Sequence, residues 1–269
     1  MNSSISILVF YILLFPSLTL FTKDLSKPIE CKQLPKTVNS KKNSDSISPT
    51  LSFSNYTWYV KSGTATPGPN AWSEHNAFVD SLGRLHLKIT YNSITKSWDC
   101  AEIWTTEALG FGAYEWFVEG PLDKLDKNIV LGLFNYPASP QVPDATNEID
   151  IEYAKWGIET NKAGNFTVWP AYLLNGYTNQ TYPFGISLNN NKSTQRFTWQ
   201  PTSVAFESIY GWRNDNDSII DSKIFKPKNP SIYIPQTAEP VHINLWLFKG
   251  LPPSDSLPVE IIINSFRKS

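Results

Sequence analysis

The chain has 269 residues, of which only 17% are charged, with 23 basic side chains against 24 acidic ones. That length builds one large domain or two small ones, and so even a balance leaves no electrostatic footprint for a nucleic-acid backbone or an anionic membrane. Aromatic residues reach 14%, beside 20 Pro and a single Met, a composition of strands and turns rather than helices.

Residues 5–21 carry no charge, and Lys23 and Asp24 then open a polar stretch. The pattern predicts a secretory signal over 1–22, although the usual basic start is missing; the alternative is an uncleaved anchor, since the run is near the lower limit for crossing a bilayer. Residues 23–54, rich in Lys, Ser, Asn, Pro and Thr, read as a polar tail or linker, and 55–269 as the folded domain. A secreted, extracellular protein is therefore expected. Asn-x-Ser/Thr acceptors at Asn55, Asn165, Asn179, Asn191 and Asn216 fit that expectation, all in segments that read as surface turns. In an oxidising compartment Cys31 and Cys100 either pair or leave Cys100 as a lone buried thiol.

Within the domain, 84–91 alternates Leu85, Leu87 and Ile89 with His86, Lys88 and Thr90, the period of a half-buried strand. Further strands are predicted over 101–105, 113–118, 129–136, 148–153, 166–169, 195–200, 203–208, 241–248 and 259–266. Many short strands, turns rich in Gly, Pro and Asn, and no alternating helices predict an all-β protein, a two-sheet antiparallel β-sandwich.

Chemistry concentrates in Asn147-Glu148-Ile149-Asp150-Ile151-Glu152. Residues two apart share a face of a strand, so Glu148, Asp150 and Glu152 project together and Ile149, Ile151 and Tyr153 face the other way. Like charges in a row disfavour joint ionisation, the physical route to holding an acid and a nucleophile side by side near neutral pH. The two outer Cα atoms of such a strand are about 13 Å apart, and inward-leaning Glu side chains shorten the gap toward the roughly 5–5.5 Å of retaining glycosidases. A row of acids also discourages edge pairing or binds calcium. Here it lies between the apolar run VLGLFNY and the aromatic run NFTVWPAY, a poor place for an exposed acidic decoration.

Over residues 58–266 the sequence resembles the family 16 glycoside hydrolases, the β-glucanase group built on a concanavalin A-like jelly roll with a concave substrate cleft. The likeness rests on ordered landmarks: Cys100-Ala101-Glu102, Leu109-Gly110-Phe111-Gly112-Ala113-Tyr114-Glu115, Leu133-Phe134-Asn135-Tyr136, Glu148 to Glu152, Phe197-Thr198-Trp199 and Asn244-Leu245-Trp246. The resemblance implies Glu148 as nucleophile, Asp150 as its assistant and Glu152 as acid/base. It implies a substrate-binding set of Glu102, Trp104, Phe134, Tyr136, Trp169, Asn244 and Trp246. The absence of an extra residue before Glu152 is similar to the lichenase and xyloglucan-transferase branch. Two departures concern the sugar recognised: Thr146 stands where an aromatic is common, and Trp104 where lichenases often carry Arg.

The activity so implied is that of a retaining endo-β-glycosidase on a neutral β-glucan of β-1,3-1,4 or β-1,3 type, acting as a monomer through a glycosyl-enzyme. It needs no cofactor; a structural calcium occurs in some relatives, and no ligands for one are identifiable here. Alternatives are a transglycosylase on cell-wall glucan, or a lectin-like carbohydrate-binding module on the same fold. His75, His86 and His242 are too scattered for a zinc site, and His242 shares strand parity with Asn244 and Trp246, which opens a cleft role for it. No G-x-S-x-G, P-loop or C-x-x-C is present, so serine-hydrolase, nucleotide and redox readings lapse.

Overall fold

Leu85, Leu87 and Ile89 are fully buried, as their alternation requires, and the same period two organises the rest of the molecule. The structure is a computed structural model that describes residues 48–137, 146–171, 180–212 and 218–269. The expected signal, most of the tail, Cys31, Asn179 and Asn216 lie outside the described residues. The strands belong to one unit, Ser46–Ser269.

In chain order they are β1 (Thr50–Phe53), β2 (Tyr56–Val60), β3 (Gly63–Ala65), β4 (Asn70–Trp72), β5 (Ala77–Val79), β6 (Leu85–Asn92), β7 (Ser97–Thr105), β8 (Gly112–Glu119) and β9 (Ile129–Asn135). The second half has β10 (Ile149–Ala154), β11 (Gly164–Val168), β12 (Thr181–Phe184), β13 (Lys192–Gln200), β14 (Ser203–Tyr210), β15 (Ile219–Phe225), β16 (Val241–Leu247) and β17 (Val259–Lys268). One sheet runs β1-β2-β7-β16-β9-β10-β11-β12 and carries the acidic motif. The other runs β5-β6-β17-β8-β13-β14-β15. The start of β7 also pairs with β6 and, in parallel, with β4, which joins the two layers along one side.

Large aromatic side chains fill the space between the sheets. Phe166 of β11 stacks on Phe206 of β14 at 4.9 Å, and Trp58 of β2 meets Phe266 of β17 edge-on at 5.6 Å. Each such ring, fully withdrawn from water, stabilises the fold by about 1.5–3 kcal/mol. A buried polar contact crosses the same layer: the Tyr153 hydroxyl donates to Gln195 Oε1 at 2.7 Å and lies 2.9 Å from Ser208 Oγ.

All ten strands expected from the sequence are present, with shifted ends. β1 corrects the boundary drawn at residue 54: Leu51 and Phe53 alternate with serines, and Phe53 is buried, so this end of the expected tail joins the sheet through β2. β3, β4 and β5 are three residues each, too short for a period to show. β12 contains Pro183, tolerated because β12 is an edge strand and the missing N–H breaks no ladder bond.

Candidate active site

The chain enters β10 through Asn147, whose φ of 54° lies in the left-handed region that Asn tolerates better than most residues. Asn135 then catches the first strand residue: its Oδ1 accepts from the Ile149 N–H at 2.8 Å. The Glu148 carbonyl accepts from the Trp169 N–H at 2.9 Å. With the strand held at both neighbours, Ile149, Ile151 and Tyr153 are fully buried in the core and Glu148, Asp150 and Glu152 stand on the opposite face. Pairing is regular on both sides of β10, with no bulge before Glu152.

Two cross-strand rows define that face. The first runs Tyr59, Trp104, His242, Phe134, Asp150, Thr167 across β2, β7, β16, β9, β10 and β11. The second runs Glu102, Asn244, Gly132, Glu152, Asn165. Gly132 has a specific reason to lack a side chain. A Cβ there would lie 2.4 Å from Asn244 Oδ1, so the floor between Asn244 and Glu152 stays open. Asn244 Oδ1 is itself buried and finds no hydrogen-bond partner among the described residues.

The acids of β10 titrate upward. Burial drives the Asp150 carboxyl to about 7, against the lowering effect of hydrogen bonds from Trp169 and Glu148. Trp169 Nε1 donates to Asp150 Oδ2 at 2.6 Å, while Oδ1 meets no donor among the described residues. Two carboxylates are both acceptors, so a bond between Asp150 and Glu148 requires a shared proton. Glu152 is held well above the ordinary glutamate value, first by burial and then by the charge of Asp150; a hydrogen bond from Asn165 partly offsets both.

Glu102, at the other end of the second row, behaves oppositely. Burial pushes its carboxyl up, but the His242 hydrogen bond and the charges of His242 and Lys61 outweigh it and hold the carboxyl below its ordinary value. Lys61 Nζ reaches Oε2 at 2.6 Å and His242 Nδ1 reaches Oε1 at 3.1 Å, so both oxygens are engaged.

The structure thus gathers Glu148, Asp150, Glu152, Glu102, Trp104, Phe134 and Asn244 on one face. Tyr136 follows β9 and meets His242 edge-on at 6.0 Å. Trp169 is Asp150's hydrogen-bond donor. Trp246 shares the face but is only 9% exposed and packs 6.5 Å from Trp156, which leaves little ring surface to offer a sugar. Among the described residues no three His, Cys, Asp or Glu side chains cluster to hold a metal ion. Cys100 is a free buried thiol, its pKa pushed up to about 12 chiefly by burial.

Asn165 requires a correction. Its sequon reads as a surface turn, yet it lies in β11, 7% exposed, opposite Glu152, with Nδ2 donating to Thr167 Oγ1 at 2.9 Å. The short polar run before it imitates a turn, whereas the hairpin register turns Asn165 and Thr167 onto the acidic face. Asn55, by contrast, is exposed in the β1–β2 turn, and Asn191 is exposed just ahead of β13. Asn165, Gly132, Asn135 and Lys61 are site residues that the motif alone does not disclose; strand parity from Phe166 inward is the signal for the first.

No family model matches the chain. A β-glucanase of Paenibacillus macerans is 27% identical over 203 residues, covering 74% of this chain and 75% of that protein. Among solved structures, the Bacillus licheniformis β-glucanase superposes with a TM-score of 0.57 at 23% identity over 79% of this chain and 91% of that one. A laminarinase from Flavobacterium sp. UMI-01 gives 0.59 at 15% identity over 78% and 92%. An immunostimulatory antigen and pseudo β-1,3-glucanase of Mycobacterium tuberculosis gives 0.55 at 18% over 79% and 91%. In fold the chain is an all-β jelly roll like those of the solved β-glucanase and laminarinase, and in sequence it is similar to a β-glucanase of the family 16 glycoside hydrolase type.

Proposed function

We propose that the chain is a secreted, retaining endo-β-glycosidase acting on a neutral β-glucan of β-1,3-1,4 or β-1,3 type. The observation that carries the reading is the row Glu148, Asp150, Glu152, in which burial, with no paired cation among the described residues, raises Asp150 and Glu152 while Glu148 shares a proton-dependent bond with Asp150. Attack requires the proton shared by the two carboxyls to sit on Asp150, so that Glu148 is ionised. Glu148 attacks the sugar C1 as the glycosidic C–O bond breaks, and the leaving oxygen takes the proton of Glu152. The resulting ester is cleaved when water gives a proton to Glu152 and bonds to C1, which frees Glu148 and restores Glu152. The uncharged run at 5–21 supports export.

Two neighbouring readings differ in the acceptor and in turnover. A sugar hydroxyl in place of water makes the same cycle a transglycosylation. A fold relative described as a pseudo-glucanase makes a binding-only protein the contrasting outcome. Incubation with barley mixed-linkage glucan, laminarin, xyloglucan and agarose, with products read by size, separates them. Shortened mixed-linkage glucan or laminarin is expected; lengthened products mark the transglycosylase, and binding without any size change overturns the enzyme reading.

A further inference from the structure

His242 occupies the centre of the first row, between two aromatic faces. Its ring stacks on Phe134 at 5.0 Å and 26° and on Trp104 at 5.9 Å and 12°. Nδ1 is tied to Glu102, whose second oxygen is taken by Lys61. Lys61 in turn donates to the Thr66 carbonyl at 2.7 Å and lies 4.2 Å over the Trp72 ring, so the clamp is anchored beyond the row. An ionised Glu102 only accepts hydrogen bonds, so Nδ1 carries a hydrogen in either charge state of the imidazole. That leaves Nε2, which makes no hydrogen bond among the described residues, on a side chain with 12% of its surface open.

We infer that His242 is a specificity-determining residue of the cleft: Nε2 bonds a hydroxyl of the bound glucan, while Glu102 and Lys61 fix the ring's orientation. This rests on the β-glucan reading above. A sugar hydroxyl suits the position because it both donates and accepts, and so pairs with Nε2 as N–H or as lone pair. The other titratable groups around the ring are Tyr136 beside it and Asp150 across Phe134. β16 is two strands from β10, about 10 Å across the sheet, so the contact falls on a sugar other than the one attacked.

The test is calorimetric binding of a mixed-linkage gluco-tetrasaccharide and of laminaritetraose to the full chain carrying Glu148→Gln, which prevents turnover. Adding His242→Phe keeps the stack and removes the nitrogen; binding is expected to weaken by at least about tenfold. His242→Gln, which restores a polar tip, is expected to recover part of the loss. In chains with Glu148 intact, His242→Phe should raise KM and leave kcat within about threefold. Equal affinity of the His242→Phe and parent proteins, with the parent binding, overturns the inference alone. A parent that binds neither oligosaccharide overturns the β-glucan reading and the inference with it. Melting temperature read beside each titration identifies a misfolded variant, and His242→Gln then decides.

Discussion

Glu152 and Glu102 stand in one cross-strand row with Gly132 and Asn244 between them, and their carboxyls are shifted in opposite directions. Burial acts upward on both. The difference is the company: Glu102 has Lys61 and His242, whereas Glu152 has a neutral Asn165 and the like-charged Asp150. A buried acid with cations is fixed as an anion and serves as scaffold; one without them keeps its proton available for transfer. On the other sheet, Arg196 bridges Glu115 and Glu207 at 2.9 and 2.8 Å.

The largest way to break this contrast is at its uncompensated end. Glu148→Gln or Glu152→Gln should each lower kcat by at least about a thousandfold, measured on whichever glucan is cleaved. Neither should lower the melting temperature, because Gln is nearly isosteric with Glu on the cleft face. The pH dependence has a definite sign. An acid with a raised folded pKa costs stability as pH climbs from its ordinary value through the folded one, so Glu152→Gln should gain on wild type in denaturant unfolding as pH rises. A gain that shrinks with rising pH would contradict the assignment.

At the compensated end the expected effect is on stability. Glu102→Gln leaves Lys61 and His242 without their carboxylate and should cost about 3 kcal/mol at neutral pH. Because the Glu102 pKa is lowered on folding, its contribution is present above the ordinary value and disappears as pH falls through the folded one, so the deficit should narrow in acid. A deficit independent of pH would mean that packing, not charge, is what Glu102 supplies. The smallest effect sharpens the comparison directly: Asn165→Ala removes a donor that favours ionised Glu152, so the basic limb of the kcat/KM profile should move up by about one pH unit. A downward shift or none would detach Asn165 from the acid/base.

Period two made β6 and β10 legible, including which faces of Ile149 and Glu148 point inward and outward, because alternation is a local property. The opposed behaviour of Glu102 and Glu152 was not legible. It depends on Lys61 and His242 lying 41 and 140 residues from Glu102 along the chain, and on registers that only the assembled sheet fixes. Asn165 misled for a related reason: Asn, Gly and Thr carry the same composition in a turn as in a polar-faced strand. Trp246 follows strand parity yet is only 9% exposed and meets Trp156 at 6.5 Å, a contact from outside its own sheet ladder.

The most direct test of the central claim, that Glu148 forms a glycosyl-enzyme which Glu152 then helps to hydrolyse, is the anomeric configuration of the first product, followed by proton NMR before mutarotation. Two inversions at C1 give back the starting configuration. The expected result is the β anomer appearing first and decaying toward equilibrium; an α anomer appearing first would contradict the double displacement and the role of Glu148 as nucleophile.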